Sequence, residues 1–260
     1  MLATARASAR EARAIAVIGS AHRPSPRGVV ALARLETKKI LLHPLFLGAM
    51  GLITLFVARL VGGGNELVLG LSGVAIGVAI GGFLSANAAT RRARRDRMTE
   101  LFASLPSPPE SRTLALLLAT LSGPMLLSAV IAEVAVVIFR TTHPGDPSVG
   151  VVFAVQIPLV VAALGCLSVA LGRWIPNPVI APALLVPQVT FIWVNPWIAE
   201  TSSGIRIGWH FTYLVSAIVF GVAAALARDR RSPARLVVVG VALATLVVAE
   251  VFRFPPGGLH

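Results

Sequence analysis

Between residues 41 and 251 the chain is built from long apolar runs separated by short polar, glycine-rich or proline-rich stretches. This pattern constrains the fold more than any other feature. A run of about 20 apolar residues matches the hydrocarbon thickness of a bilayer. Inside lipid every backbone N–H and C=O must be satisfied within the protein, which only helices and closed barrels achieve. The runs are continuous rather than alternating, so helices are expected. Only 13% of residues are charged and 56% are hydrophobic, against about 25% charged in a soluble domain. Lipid, not water, is the solvent such a chain fits.

The runs fall at about 41–61, 66–89, 113–139, 151–171, 179–194, 211–227 and 236–251, the last only marginally long enough to cross. The expected fold class is an all-α integral membrane protein with six to seven transmembrane helices. Residues 1–28 form an Ala- and Arg-rich arm whose longest apolar stretch is too short for a signal-peptide core. The transmembrane domain then takes up 29–260. It opens on an amphipathic stretch, 29–42, with Arg34, Glu36, Lys38 and Lys39 set among Leu32, Leu35, Ile40 and Leu41. Such a helix suits the interface, with its basic groups in the headgroup layer.

The net charge of +12 is not that of a nucleic-acid binder, because the arginines cluster between apolar runs. With seven spans and the N-terminus inside, 19 of the 23 Lys and Arg residues fall in cytoplasmic segments. Arg59, Arg140, Arg206 and Arg253 fall outside. The positive-inside rule therefore favours a multi-pass cell-membrane protein with a cytoplasmic N-terminus.

Little in the spans carries chemistry. Gly73, Gly77 and Gly81 lie four apart on one helix face and suit close helix packing. Cys166, the only cysteine, excludes an intrachain disulfide and a cysteine-based metal site. No G-x-x-x-x-G-K-[ST] or His-Glu-x-x-His occurs, so neither an ATP-binding P-loop nor a membrane zinc protease is expected, and no catalytic residue or metal site is assigned. Glu133 is the one acidic residue well inside a run. It either lines a cavity or reaches the headgroups and pairs with Arg140. The single histidine at the start of the sixth run, His210, is expected at the interface. Between the second and third runs, a basic stretch precedes Met98, Leu101, Phe102 and Leu105, whose spacing makes one helix face apolar. Pro106, Pro108 and Pro109 end it, and Ser107-Pro108-Pro109-Glu110 reads as a helix start with Ser107 as the cap. The short helix is either an ordinary solvated loop element or a docking helix for a cytoplasmic partner.

Two stretches carry a family resemblance: Arg34-Leu35-Glu36-Thr37-Lys38-Lys39-Ile40-Leu41-Leu42-His43-Pro44, and Arg97-Met98-Thr99-Glu100-Leu101-Phe102-Ala103-Ser104-Leu105-Pro106 followed by Arg112-Thr113-Leu114-Ala115. Trp209-His210-Phe211-Thr212-Tyr213-Leu214 is a weaker echo. The chain resembles the permease subunits of ABC-2 type exporters, particularly the actinobacterial ones. The resemblance implies a connecting helix at 32–42, with Arg34, Glu36, Lys38 and Lys39. It implies a coupling helix that seats Met98, Thr99, Glu100, Leu101, Phe102 and Leu105 on a separate ATPase subunit. ATP and Mg would belong to that partner, leaving no cofactor and no enzymatic activity in this chain. It further implies a second permease copy, identical or related, an outer re-entrant segment at 195–210, surrounding membrane lipids, and export of a hydrophobic or amphipathic drug, antibiotic or lipid-like substrate. The usual pattern has six spans, so the run at 236–251 is a departure. A self-contained ion-coupled carrier and a non-transporting membrane scaffold are the competing expectations.

The topology has a direct check. A cysteine at His22 in the N-terminal arm, placed in a Cys166→Ala background, is expected to react with a membrane-impermeant maleimide only after the cells are opened. Labelling of intact cells would reverse the orientation.

Overall fold

The computed structural model describes residues 26–60, 67–95, 109–142, 151–175, 177, 179–180, 183–184, 206–229 and 232–253. Every regular element among them is helical: α1 (Pro26–Leu41), α2 (Pro44–Leu60), α3 (Leu67–Arg95), α4 (Pro109–Thr120), a π-helical turn (Leu121–Met125), α5 (Leu126–Thr142), α6 (Val151–Trp174), α7 (Ile207–Asp229) and α8 (Pro233–Arg253). Five segments are long and apolar enough to cross a bilayer: Val74–Arg92, Glu110–Ile138, Ala154–Trp174, Ile207–Arg228 and Pro233–Phe252. A sixth is added if α1 and α2, bent by 47° at their junction, count as one broken span. The protein is thus an all-α, multi-pass membrane protein.

α6 is the centre of the bundle. Of its span 78% is buried, against 11% for α8. Lipid tails are as apolar as leucine, so helices in a membrane associate through close packing, and small residues permit it. On α6, Gly165 sits under Thr120 of α4, and Gly172 sits under Thr90 and Asn87 of α3. On α7, Gly221 lies against the backbone of Cys166 and Leu167. These contacts also give directions. Phe83, Asn87 and Thr90 meet Ser168 and Gly172 in rising order, so α3 and α6 run parallel. Gly221 meets Cys166 and Ala224 meets Trp174, so α7 is parallel to both. α2 returns antiparallel to α3, with Phe46 opposite Gly81 and Ile53 opposite Gly77.

Four expectations change. The run at 236–251 is part of a 21-residue helix, α8, which at about 1.5 Å per residue is long enough to span. It is held at both ends, by Arg235 to the Leu226 carbonyl (3.0 Å) and by stacking of Trp209 on Phe252 (5.2 Å between rings). The basic stretch Arg91, Arg92, Arg94 and Arg95 does not open a loop. It continues α3, because Ala and Arg are strong helix formers and nothing there breaks the helix. α4 starts at Pro109, so Glu110 falls in its first turn, and its carboxylate accepts a bond from Arg235 (3.1 Å). Finally, the apolar face of α1 is covered by protein rather than turned wholly to lipid. Val29, Ala33 and Ile40 are buried, and α1 runs alongside α4 in the same direction, Ala33 near Ala115, Thr37 near Ala119 and Leu41 near Gly123. Of the run at 179–194, only Val179, Ile180, Ala183 and Leu184 belong to the described residues.

The close approach to α6 sets a cost on added volume. A Cβ at position 221 would stand 2.8 Å from the Cys166 carbonyl carbon, which is backbone and cannot swing away. Gly221→Ala is expected to cost about 1–3 kcal/mol, as overpacking does. Gly240→Ala, where nothing lies within 4 Å, is expected to cost nothing. Thermal unfolding in detergent distinguishes the two.

Candidate functional site

One end of the bundle is strongly basic. The parallel helices α3, α6 and α7 all end there, at Arg91–Arg95, Arg173 and Arg228, and α4 and α8 begin there, near Arg112 and Arg235. The packing explains the convergence. Thr90 touches Gly172, which sets the neighbouring Arg91 and Arg173 on adjacent helices at one level. Trp174 donates its indole N–H to the Ala224 carbonyl (2.8 Å), and the Arg228 guanidinium lies 5.5 Å from the Trp174 ring centre. Arg235 reaches both the end of α7 and Glu110 at the start of α4. A surface of this sign suits anionic headgroups or an acidic protein face.

Just inside the basic end a polar seam joins α3 to α6. Asn87, 1% exposed, donates Nδ2 to the Ser168 carbonyl (3.2 Å), and Ser168 donates its hydroxyl to the Phe83 carbonyl. Ser85 and Thr90 bond back to their own helix at Gly81 and Ala86. Asn87 Oδ1 is left buried without a partner among the described residues. None of these side chains stands out in the sequence, because single Asn, Ser and Thr residues are common in apolar helices. Gly165 and Gly172, seven apart on one face of α6, are the sequence signal that could have pointed to close packing there.

The residues singled out from sequence are distributed as follows. Met98, Thr99, Glu100, Leu101, Phe102 and Leu105 lie outside the described residues. So does the proposed cap Ser107, and so does 195–205 of the outer segment. The chain that carries 96–108 leaves α3 at Arg95 and enters α4 at Pro109, both at the basic end. On α1, Arg34, Lys38 and Lys39 are exposed, and Lys39 pairs with Glu36 at 2.9 Å. Gly77 and Gly81 lie where α2 crosses α3, with Phe46 carbonyl oxygen 3.0 Å from a Cβ built at Gly81. Gly73 is on the same helix, and its surroundings lie outside the described residues.

Glu133 is exposed on the surface of α5, on the same side as Val130, Val134 and Val137. Its neighbour Ala132 packs with Ile157, six residues into α6, which puts Glu133 about 9 Å from the start of that helix. Arg140 is also exposed and makes no ion pair with Glu133. The two are seven residues apart, about 10 Å along the helix. His210 is fully buried in the first turn of α7, 6.3 Å from the Phe211 ring, so at its end of the helix it faces protein rather than solvent. Cys166 is buried between Thr120 and Gly221. Among the described residues no three His, Cys, Asp or Glu side chains come together as a metal site would need.

The Arg235–Glu110 pair is a side-chain tie between α8 and α4, and its side chains are 30% and 22% exposed. A partly buried pair still open to water contributes modestly. Arg235→Ala is expected to lower stability by about 1 kcal/mol, mostly through the lost bond to the Leu226 carbonyl. Glu110→Gln is expected to change it less. A double-mutant cycle on detergent unfolding curves that gave a larger coupling would contradict this ranking.

Comparison with known protein families, with curated proteins and with solved structures yields no match. What stands is the architecture itself, a helical multi-pass membrane protein with one basic end.

Proposed function

We propose that this chain is the transmembrane permease subunit of an ATP-driven ABC exporter, with a separate ATPase supplying the energy and a second permease copy completing the pathway. The observation that carries this reading is the position of the stretch on which the resemblance rests. Residues 96–108 connect α3 to α4 at the basic end, the end that the positive-inside rule assigns to the cytoplasm. A docking helix there would pass force straight into α4. The sequence has no P-loop of its own, so an ATPase would have to be a partner. The substrate class is hydrophobic or amphipathic, because apolar and small side chains dominate the spans.

An ion-coupled carrier needs an ionisable group along its path. Glu133, the group considered for that role, is exposed on α5, and substituting it separates the two readings. In this reading surrounding lipid covers the exposed faces of α5 and α8.

The test is a pair of substitutions on the apolar face of the docking stretch. Leu101→Glu with Phe102→Glu is expected to release a co-purifying ATPase and to abolish ATP-dependent efflux, while the permease still elutes as a monodisperse species. Glu133→Gln is expected to leave efflux unchanged. Efflux that survives ATP depletion and stops when the ion gradient collapses would overturn the proposal.

A further inference from the structure

Four irregularities fall in one layer of the bundle. The first is the break between α1 and α2 at His43, where the axis turns by 47°. The second is the π-helical turn Leu121–Met125 between α4 and α5, with Pro124 inside it. The third and fourth are Gly81 and Gly82 on α3. Gly81 receives Phe46 at the start of α2, and Gly82 receives the ring of Pro124, 3.1 Å from where a Cβ would be. Gly123 in the π turn meets Thr37 and Leu41 at the end of α1, with the Thr37 methyl 2.9 Å from a Cβ built there. The two breaks therefore touch each other and share one unbroken helix, α3, as their backing.

The chemistry of the layer explains why it bends here. Pro124 has no N–H for the carbonyl four residues back, and its ring crowds that carbonyl. A π turn shifts the pairing by one residue and relieves both problems, at the expense of a wider, weaker turn. The hydroxyl of Thr37 reaches into this region from α1. Its Oγ1 lies 2.9 Å from the Ala33 carbonyl, 3.5 Å from the Ala119 carbonyl and 2.9 Å from Ser122 Oγ. A hydroxyl has one proton, so with Thr37 donating to Ala33 the Ser122 hydroxyl donates to Thr37.

Below the layer, α1 and α4 pack lengthwise on each other more extensively than either packs on any other helix. Val29 and Ala33 of α1 close over Ala115, with Leu32 and Leu114 beside them. At the basic end α4 is tied to α8 by the partly buried Arg235–Glu110 bridge, and Ile40, Leu117 and Ala119 rest on small core residues such as Ala86, Cys166 and Ala225. Above the layer, α2 leans on α3, and α5 leans on α3 and α6.

We propose that α1 and α4 form a single rigid lever that tilts about this layer, with the α1–α2 break and the Pro124 π turn as its two coupled hinges and α3 as the fixed post. Hinges are a few element-terminal residues that absorb the backbone change, while packed pairs move as units. The lever's free end is the basic end, where residues 96–108 enter α4. The lever is a property of this chain alone. Its use as the receiver of an ATPase stroke rests on the permease reading above.

Spin-label distances in lipid nanodiscs test the lever without any partner or substrate, so its failure and the failure of the permease reading are separate results. Labels go on exposed sites in a Cys166→Ala background. Leu35 and Leu118 lie on the two helices of the lever, while Leu118 with Val130 and Leu35 with Leu52 straddle the hinges. The pair within the lever is expected to give one narrow distance distribution. Both pairs across the hinges are expected to give broad or two-peaked ones. Pro124→Ala, which lets the π turn close into an α-helix, is expected to collapse both cross-hinge distributions to a single narrow peak. It is expected to do so for Leu35 with Leu52 although that pair does not flank Pro124. Pro158→Ala, in α6 and away from the layer, is expected to leave all three unchanged. Should Pro124→Ala fail to fold, Gly82→Ala, which presses a methyl on the Pro124 ring, is expected to shift the same two distributions. Narrow cross-hinge distributions in the parent protein would overturn the lever. So would a Leu35–Leu118 distribution as broad as the cross-hinge ones, or a Leu35–Leu52 distribution indifferent to both variants.

Discussion

How near α3 and α7 can come to α6 decides the rest of the structure. In lipid there is no hydrophobic gain from hiding one leucine against another, so the bundle depends on contact distance. Gly172 and Gly221 remove side chains where Thr90 and the Cys166 backbone approach, and Gly165 does the same for Thr120 of α4. The first two contacts set α3, α6 and α7 parallel and in register. Because they are in register, their arginine-bearing ends arrive together and one end of the bundle becomes basic.

The same closeness makes polar side chains tolerable in the interior. Asn87 and Ser168 lie deep between α3 and α6, but each reaches a carbonyl of the facing helix. Such bonds are individually modest in a membrane. They also resist sliding of one helix on the other, since a slip of one residue would leave Asn87 with neither of its amide groups satisfied. α1 and α4 pack most extensively on each other, and Ile40, Leu117 and Ala119 join this pair to the α3–α6–α7 core. The Pro124 turn and the break at His43 lie where the pair passes into α5 and α2.

That division gives the proposed function its mechanics. A permease has to be stiff where it holds a pathway and compliant where it receives force. The basic end is where the chain passes from α3 to α4, one the stiff post and the other part of the proposed lever. A partner seated there would have one fixed foothold and one movable one.

The solvent, the helical class and most of the spans were legible in the sequence, because a bilayer imposes one length and one rule of backbone satisfaction on any chain that crosses it. Runs such as 113–139 and 151–171 obey that rule locally, so no tertiary knowledge was needed to find them. Gly77 and Gly81 were recognisable as a small face, but not that α2 would occupy it. Their spacing marks a surface without naming its neighbour. The burial of His210, the partner of Glu110, the outward facing of Glu133 and the covered face of α1 were decided only by tertiary structure. Each depends on which helix stands beside which, and apolar periodicity in lipid does not encode that choice. The π turn lies between these cases. Pro124 falls inside the run read as continuous from 113 to 139, and the form of the break there was set by Gly82 and Thr37, residues 42 and 87 positions away along the chain.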